Sequence, residues 1–411
     1  MNCRICHNEN LKLFLSLGYH PPSDAFLSNL TEPETHYPLT VYECARCGLF
    51  QLGHVVPKEI LYNDKYPYET GMNVEGVKHF RELAESVVKQ FHLGHNDLVV
   101  DIGSNDGTLL SGFKESGCKV LGIEPVKQLA EKSKEKGIDT YSWFFSSLMP
   151  EPLFIGKAKI ITATNVFAHV DDLHDFMKGI DKLLADNGIF IIEAPYIGDL
   201  LENFEFDTIY HEHLSYFSPK ALHNLFKQFG MVIFKIDKFP IHGGTYRYYV
   251  CKKPYSEMFK TNLGNGLGYH PDKSICSAFV EKIEKNREEL IWLLRSIKMK
   301  GKRIVGVSAP AKGNTLLNYC KIGPETLDYI TEKSALKIGR FTPGMHIPIM
   351  PDERLLLDMP DYSLILAWNW SGQIMNNLKA YTEKGGKWIV PIPEPHIIRT
   401  GAGAWVPIEG L

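Results

Sequence analysis

The 411-residue chain has no apolar run near the roughly 18 residues that a membrane-spanning helix requires. It has no basic excess either: 45 Lys and Arg face 48 Asp and Glu, for a formal net charge of −3. A nucleic-acid binder usually carries a positive surplus, so neither nucleic acid nor membrane is an expected partner. The opening residues, Met1-Asn2-Cys3-Arg4-Ile5-Cys6, lack the pattern of a secretory signal. Low-complexity tracts and strong internal repeats are missing. The eight cysteines are not spaced as a disulfide framework. Four fall in two Cys-x-x-Cys pairs, while Cys118, Cys251, Cys276 and Cys320 are scattered singly. That usage suits a reducing cytoplasm, the expected location.

What is present is ordinary globular material, 44% hydrophobic and 23% charged. The length exceeds what one hydrophobic core usually serves, so two or three domains are expected. Residues 1 to about 75 are rich in turns, as in Pro21-Pro22-Ser23 and Tyr66-Pro67-Tyr68, and such a segment needs a staple. From about residue 76 the spacing of Val77, Phe80, Leu83, Ala84, Val87 and Val88 predicts a helix. Strands are predicted at Leu98–Ile102, Val120–Ile123, Ala158–Ala163, Gly188–Glu193 and Val232–Ile236, with helices at Pro125–Lys136 and Leu173–Leu184 between them. A long charged helix is predicted over about Asp272–Lys300. A second strand series follows at Arg303–Val307, Thr326–Thr331, Leu364–Ala367 and Lys387–Ile392. The expected class is therefore α/β, with open sheets. The expected divisions are 1–75, 76–250 and 251–411, the last including a linking helix.

Cys3-Arg4-Ile5-Cys6 and Cys44-Ala45-Arg46-Cys47 are separated by 37 residues. Each Cys-x-x-Cys turn delivers two sulfurs from one chain reversal, and four thiolates satisfy tetrahedral zinc. Two redox dithiols are the rival reading, and His7 or His54 could replace a sulfur. Four thiolate ligands leave no open position, so the expected zinc is structural.

The segment Val99-Val100-Asp101-Ile102-Gly103-Ser104-Asn105-Asp106-Gly107 reads as a strand entering a glycine turn before a helix near Thr108. Gly103 allows close approach of a ligand, and the helix start favours a carboxylate. Glu124 stands about 20 residues on, at the end of the next strand, where an acid accepts ribose hydroxyls. The spacing Asp-x-Gly-x-x-x-Gly differs from the dinucleotide Gly-x-Gly-x-x-Gly and favours S-adenosylmethionine. Asn165 and His169, in Thr164-Asn165-Val166-Phe167-Ala168-His169, follow a later strand, where the methionine part would sit. Phe144, in Trp143-Phe144-Phe145, is a candidate flank for the adenine or a core residue.

These motifs occur in order with Tyr210-His211-Glu212-His213, His242-Gly243-Gly244 and Ala309-Pro310-Ala311-Lys312-Gly313-Asn314-Thr315. Together they closely resemble the bacterial sugar C-methyltransferases that act on nucleotide-linked 4-keto-deoxysugars, over essentially the whole chain. The resemblance implies three parts: a small zinc domain, a central Rossmann-like methyl-donor domain and a second Rossmann-like α/β domain. It implies methylation at C3 of the sugar, with a tyrosine at the position of Tyr210 as the proposed base. Val305-Gly306-Val307-Ser308-Ala309 departs from the family in lacking a Gly-Tyr-Gly.

Methyl transfer to carbon needs a carbanion, which a neighbouring ketone supplies as an enolate. Tyr210, Glu212, His213 and His242 are the candidate acid–base groups. Either Tyr210 or His213 could remove the proton. Lys312, Gly313 and Asn314, at a strand-to-helix turn, are candidates for holding the diphosphate; Tyr66 and Tyr68 are further candidate substrate contacts. A sugar O-methyltransferase, a nicotinamide-dependent oxidoreductase and a non-catalytic zinc protein are the alternatives. The expected assembly is a monomer or homodimer.

Overall fold

The computed structural model describes residues 1–72, 74–149, 157–239, 244–259 and 271–398. His242 lies outside them. Three sheets organise the chain. The first begins with β1 (Lys12–His20), β2 (Tyr37–Glu43) and β3 (Phe50–Leu52), paired antiparallel. Its inner face carries Leu15, Leu17, Leu39, Val41, Phe50 and Leu52, all buried. Strands β1 and β2 form a hairpin within the stretch that separates the two cysteine pairs.

The central sheet contains β4 (Leu98–Ile102), β5 (Lys119–Ile123), β6 (Thr140–Tyr141), β7 (Ala158–Thr164) and β8 (Leu184–Pro195), all parallel. A two-residue strand, β9 (Ser215–Tyr216), leaves this region and pairs with β3 of the first sheet. Next come β10 (Met231–Phe239) and β11 (Thr245–Lys252), and β11 runs antiparallel to β8. The sheet order is β10-β11-β8-β7-β4-β5-β6, so the chain reverses direction across the sheet at β4. In an open α/β sheet that reversal opens a crevice at the carboxyl ends of the strands. β4 is buried on both faces, as its largely apolar sequence predicts. The helix Val74–Phe91 buries Phe80, Leu83, Ala84 and Val87.

The helix Lys273–Met299, capped by Asp272 through the Ile275 amide at 2.9 Å, leads to the last sheet. Its strands are β12 (Ile304–Val307), β13 (Ile330–Glu332), β14 (Ile349–Pro351), β15 (Tyr362–Ile365), β16 (Lys387–Val390) and β17 (His396–Ile398). One continuous hydrophobic core joins the first sheet, the long helix and one face of this last sheet. Among the described residues the first sheet shares this core and has no separate one. Among the described residues no helix is long and apolar enough to cross a membrane.

Candidate active site

The four sulfurs of Cys3, Cys6, Cys44 and Cys47 lie within 4.8 Å of one another. Cys3 faces Cys47 at 3.4 Å and Cys6 faces Cys44 at 3.5 Å, the crossed arrangement of two opposed turns. Gly48, at φ 82°, closes the second turn. The thiol hydrogen bond from Cys47 pulls Cys3 down, toward the thiolate that a metal ligand needs. Cys3, Cys44 and Cys47 are buried, and backbone contacts fix the first turn: the Ile5 carbonyl accepts from His174 at 2.8 Å and Gln228 at 3.1 Å. Four soft sulfurs in a closed cluster fit tetrahedral zinc in a structural role.

The carboxyl ends of β4, β5, β7 and β12 open onto one cavity of about 810 Å³. Its walls come from all three sheets. Asp101, Gly103, Asn105, Glu124, Phe144, Asn165 and His169 all line it. Gly103, at φ 67°, has Val166 so close that a Cβ would meet its Cγ2 at 2.3 Å. Asn105 and Asn165 also take left-handed backbone, at φ 51° and 56°. So does Ser308, at φ 68°, which lines the cavity at the end of β12. Non-glycine residues held there are costly and concentrate at ligand sites.

Glu124 accepts the amides of Asn105 and Val126, each at 2.8 Å, which aims its carboxylate into the crevice. Burial pushes it up to about 7. Asp101, bonded by the Thr162 hydroxyl at 2.6 Å, is likewise pushed up to about 7 by burial. Asn105 has a second task that its sequence position does not announce. It accepts the Thr70 amide at 2.9 Å and donates to the Tyr68 carbonyl at 3.2 Å. Asp106 holds the Gly71 amide at 3.2 Å, and Lys132 pairs with Glu69. Residues 68–71 are thus strapped across the glycine turn, bringing Tyr62, Tyr66 and Tyr68 into the cavity wall.

The segment after β8 supplies the acid–base groups. His213 Nδ1 contacts the Thr208 carbonyl at 2.8 Å. A carbonyl only accepts, so Nδ1 carries the hydrogen, and in the neutral ring Nε2 is the acceptor. Tyr210 Oη lies 2.9 Å from Nε2 and therefore donates to it. His169 stands beside this pair, 5.1 Å from His213 between ring centroids, with Tyr62 Oη 3.0 Å from its Nδ1. Burial, then the neighbouring His213, pushes His169 well down, so it is neutral at pH 7. Glu212 is 3% exposed, and its Oε2 has no hydrogen-bond partner among the described residues. Burial, then Asp24, pushes it up to about 8. Asp24, from the first sheet's loop, is raised in turn by burial. His211, between these residues, is buried edge-on to Tyr37 and does not line the cavity.

Lys312 lines the opposite wall, its ammonium 4.3 Å above the Trp368 ring and 3.2 Å from Asn369 Oδ1. It opens the helix Ala311–Cys320. Gly313 and Asn314 do not line the cavity. Gly313 packs so tightly against Leu366 that a Cβ would sit at 2.9 Å, and Asn314 donates its side-chain amide to the Ser23 carbonyl at 2.6 Å. The Asn314 side chain thus joins the last sheet's first helix to the loop after β1. Tyr62, Asp24, Ser308, Glu332 and Lys337 were not anticipated from the sequence; they lie in loops or, for Glu332, at the end of β13, and only the tertiary fold brings them together.

Three family models match successive parts of the chain. They are a "Putative zinc binding domain" at residues 3–62, a methyltransferase domain at 77–235 and a C-methyltransferase C-terminal domain at 240–393. The C-methyltransferase NovU of Streptomyces niveus is 33% identical over 405 residues, 96% of each chain. The chain belongs to this C-methyltransferase family. A ubiquinone biosynthesis O-methyltransferase of Pelagibacter ubique is 24% identical over 152 residues, 35% of this chain and 62% of its own. An S-adenosylmethionine-dependent methyltransferase structure from Clostridium acetobutylicum covers 43% of this chain and 92% of its own, at 14% identity and a TM-score of 0.35. The C-methyltransferase uses S-adenosylmethionine and carries a zinc-binding cysteine cluster; methyl transfer to carbon replaces the oxidoreductase alternative.

Proposed function

We propose that the C-methyltransferase acts at C3 of a nucleotide-linked 4-keto-deoxysugar through an enolate. The observation that carries this reading is the hydrogen-bonded series Thr208 carbonyl, His213, Tyr210. Enclosure alone pushes the Tyr210 phenol well up, so an isolated tyrosinate is disfavoured. A lone pair on His213 removes that obstacle. As the C3–H bond breaks, its proton passes to Tyr210 Oη while the phenol proton moves to His213 Nε2. The electron pair shifts to the C4 oxygen. Glu212, protonated at neutral pH, and neutral His169 are the nearby groups suited to stabilise that oxygen. When bound, S-adenosylmethionine would supply an electrophilic methyl group to the C3 carbanion, the electron pair of the broken S–CH3 bond remaining on sulfur as neutral S-adenosylhomocysteine leaves. The positive charge of His213 then discharges to solvent, balancing the proton released.

Glu124 and Asp101 suit the ribose and amino groups of the donor, with Asn165 near its methionine end. Lys312 and the first-turn amides of its helix suit the diphosphate, since helix starts bring unpaired N–H groups to anions. The cavity also has the size for both ligands together. The test is exchange of the C3 proton with deuterated water in the absence of donor. Wild type should exchange, and Tyr210→Phe and His213→Asn should each lose at least about 100-fold, the low end of a general acid–base contribution. Normal exchange by both variants, with methyl transfer lost, overturns the assignment. A failure of every 4-keto-sugar nucleotide to gain a methyl overturns the substrate class.

A further inference from the structure

The cysteine cluster stands outside the cavity, yet one residue between its ligands reaches the cavity's back wall. Arg4 lies in the first Cys-x-x-Cys turn, and its side chain is only 7% exposed. One guanidinium nitrogen, Nη1, donates to the Leu52 carbonyl at 3.0 Å and the Leu214 carbonyl at 3.2 Å; Nε donates to Asp171 Oδ1 at 3.2 Å. Leu214 directly follows His213, and its carbonyl also accepts the Leu52 amide at 2.9 Å. Asp171 follows His169 by two residues. Both histidine-bearing segments are therefore gripped from behind by one guanidinium, and their rings face each other at 5.1 Å.

The grip is itself anchored. The Arg4 amide donates to Gln51 Oε1 at 2.9 Å, and the next carbonyl, Ile5, is held by His174 and Gln228. The Arg4 side chain is taken almost wholly out of water, and its ion-pair partner is Asp171 at 3.2 Å. A surface cap on a zinc turn has no need of so expensive a placement. The planar fork offers rigid donors in fixed directions, which the point charge of lysine does not.

We propose that Arg4 is a positioning residue for catalysis: it sets the separation of His169 and His213, making the zinc turn the back-stop of the active site. This deepens the reading of Tyr210 and His213 as the proton-transfer pair and rests on it. Displacement of catalytic groups by about 1 Å costs on the order of 100-fold in rate. Arg4→Lys should therefore lower kcat by about 10- to 100-fold, with KM for S-adenosylmethionine and zinc content unchanged. Arg4→Ala should lose more, and added guanidinium should restore part of its kcat while methylammonium does not.

The tests separate the two readings. C3 proton exchange is measured for Arg4→Lys, Arg4→Ala and His213→Asn, beside zinc content and thermal unfolding. Loss in all three, with guanidinium rescue of Arg4→Ala at full zinc content, supports the proposal. Wild-type kcat in folded Arg4→Lys and Arg4→Ala overturns it, while a dead His213→Asn still upholds the base assignment. Loss of activity that tracks loss of zinc or of the fold, without rescue, also overturns it, since Arg4 is then only structural. Normal exchange in His213→Asn removes the reading on which it rests.

Discussion

Replacing Glu212 by glutamine should slow methyl transfer and at the same time stabilise the protein above neutral pH. Glu212 is enclosed with one unpartnered oxygen, and burial, then Asp24, pushes it from the ordinary 4.5 to about 8. Between those two values the native state binds more protons than the unfolded chain. Stability therefore falls as pH rises through that window. At about 1.4 kcal/mol per pH unit, the cost approaches roughly 4 kcal/mol at pH 8, and relaxation and water entry reduce it to on the order of 2. Glutamine keeps the shape and removes the charge. The assay is thermal unfolding of both proteins at pH 5 and pH 8. Glu212→Gln should unfold about 4–8 °C above wild type at pH 8, at roughly 2–4 °C per kcal/mol, and much closer to it at pH 5. An equal gap at both pH values, or a lower melting temperature at pH 8, would refute the reasoning, because the carboxyl would then be ionised in the native protein without penalty. A gain in stability with a loss of turnover is the signature of a residue kept for chemistry.

Glu124→Ala should weaken S-adenosylmethionine binding at least about tenfold by calorimetry, since it removes charge-assisted bonds of about 1.5–3 kcal/mol; unchanged affinity in folded protein would falsify the placement. Lys312→Ala should weaken nucleotide-sugar binding about tenfold or more while leaving donor affinity intact, and equal loss of both contradicts the division of labour between the two walls. Freshly purified protein should hold close to one zinc per chain, and chelation should lower the melting temperature and expose Cys3 and Cys44 to thiol reagents; less than about half an equivalent of metal counts against the cluster.

Much of the fold was legible because its signals are local. The β4 run ends in a glycine turn, and the predicted helices at 125–136 and 173–184 lie within a residue or two of Lys127–Glu135 and Leu173–Leu183. The two cysteine pairs were legible for the same reason. The predicted strand at 326–331 instead begins at Ile330, because Thr326 and Leu327 turn onto the Gly323 carbonyl. Strand β11 was not among the predicted strands, although Thr245–Lys252 carries three tyrosines and a valine. What sequence could not provide was juxtaposition. Asp24 raises Glu212 across 188 positions of chain, and nothing in Pro22-Ser23-Asp24 signals a carboxylate pair. Asn314 sits in a phosphate-loop context, but the close approach of Ser23 claims its amide. Asn105 was read as a donor contact, and its side chain also holds the Tyr68–Thr70 strap.

The joint between the first and last sheets bears on how this family can be recombined. The Leu27–Phe341 bridge pairs two backbones, Asn314 spans to Ser23, and Glu34 pairs with His346 while accepting the Gly344 amide at 2.8 Å. These contacts lie at opposite ends of the gene. A chimera that exchanges only residues 271–398 with a relative will juxtapose two surfaces selected apart, leaving Asn314 or Glu34 facing the wrong atoms beside the cavity. Grafting residues 21–34 together with the C-terminal segment preserves the seam, so substrate range in such hybrids should follow the paired graft rather than either piece alone.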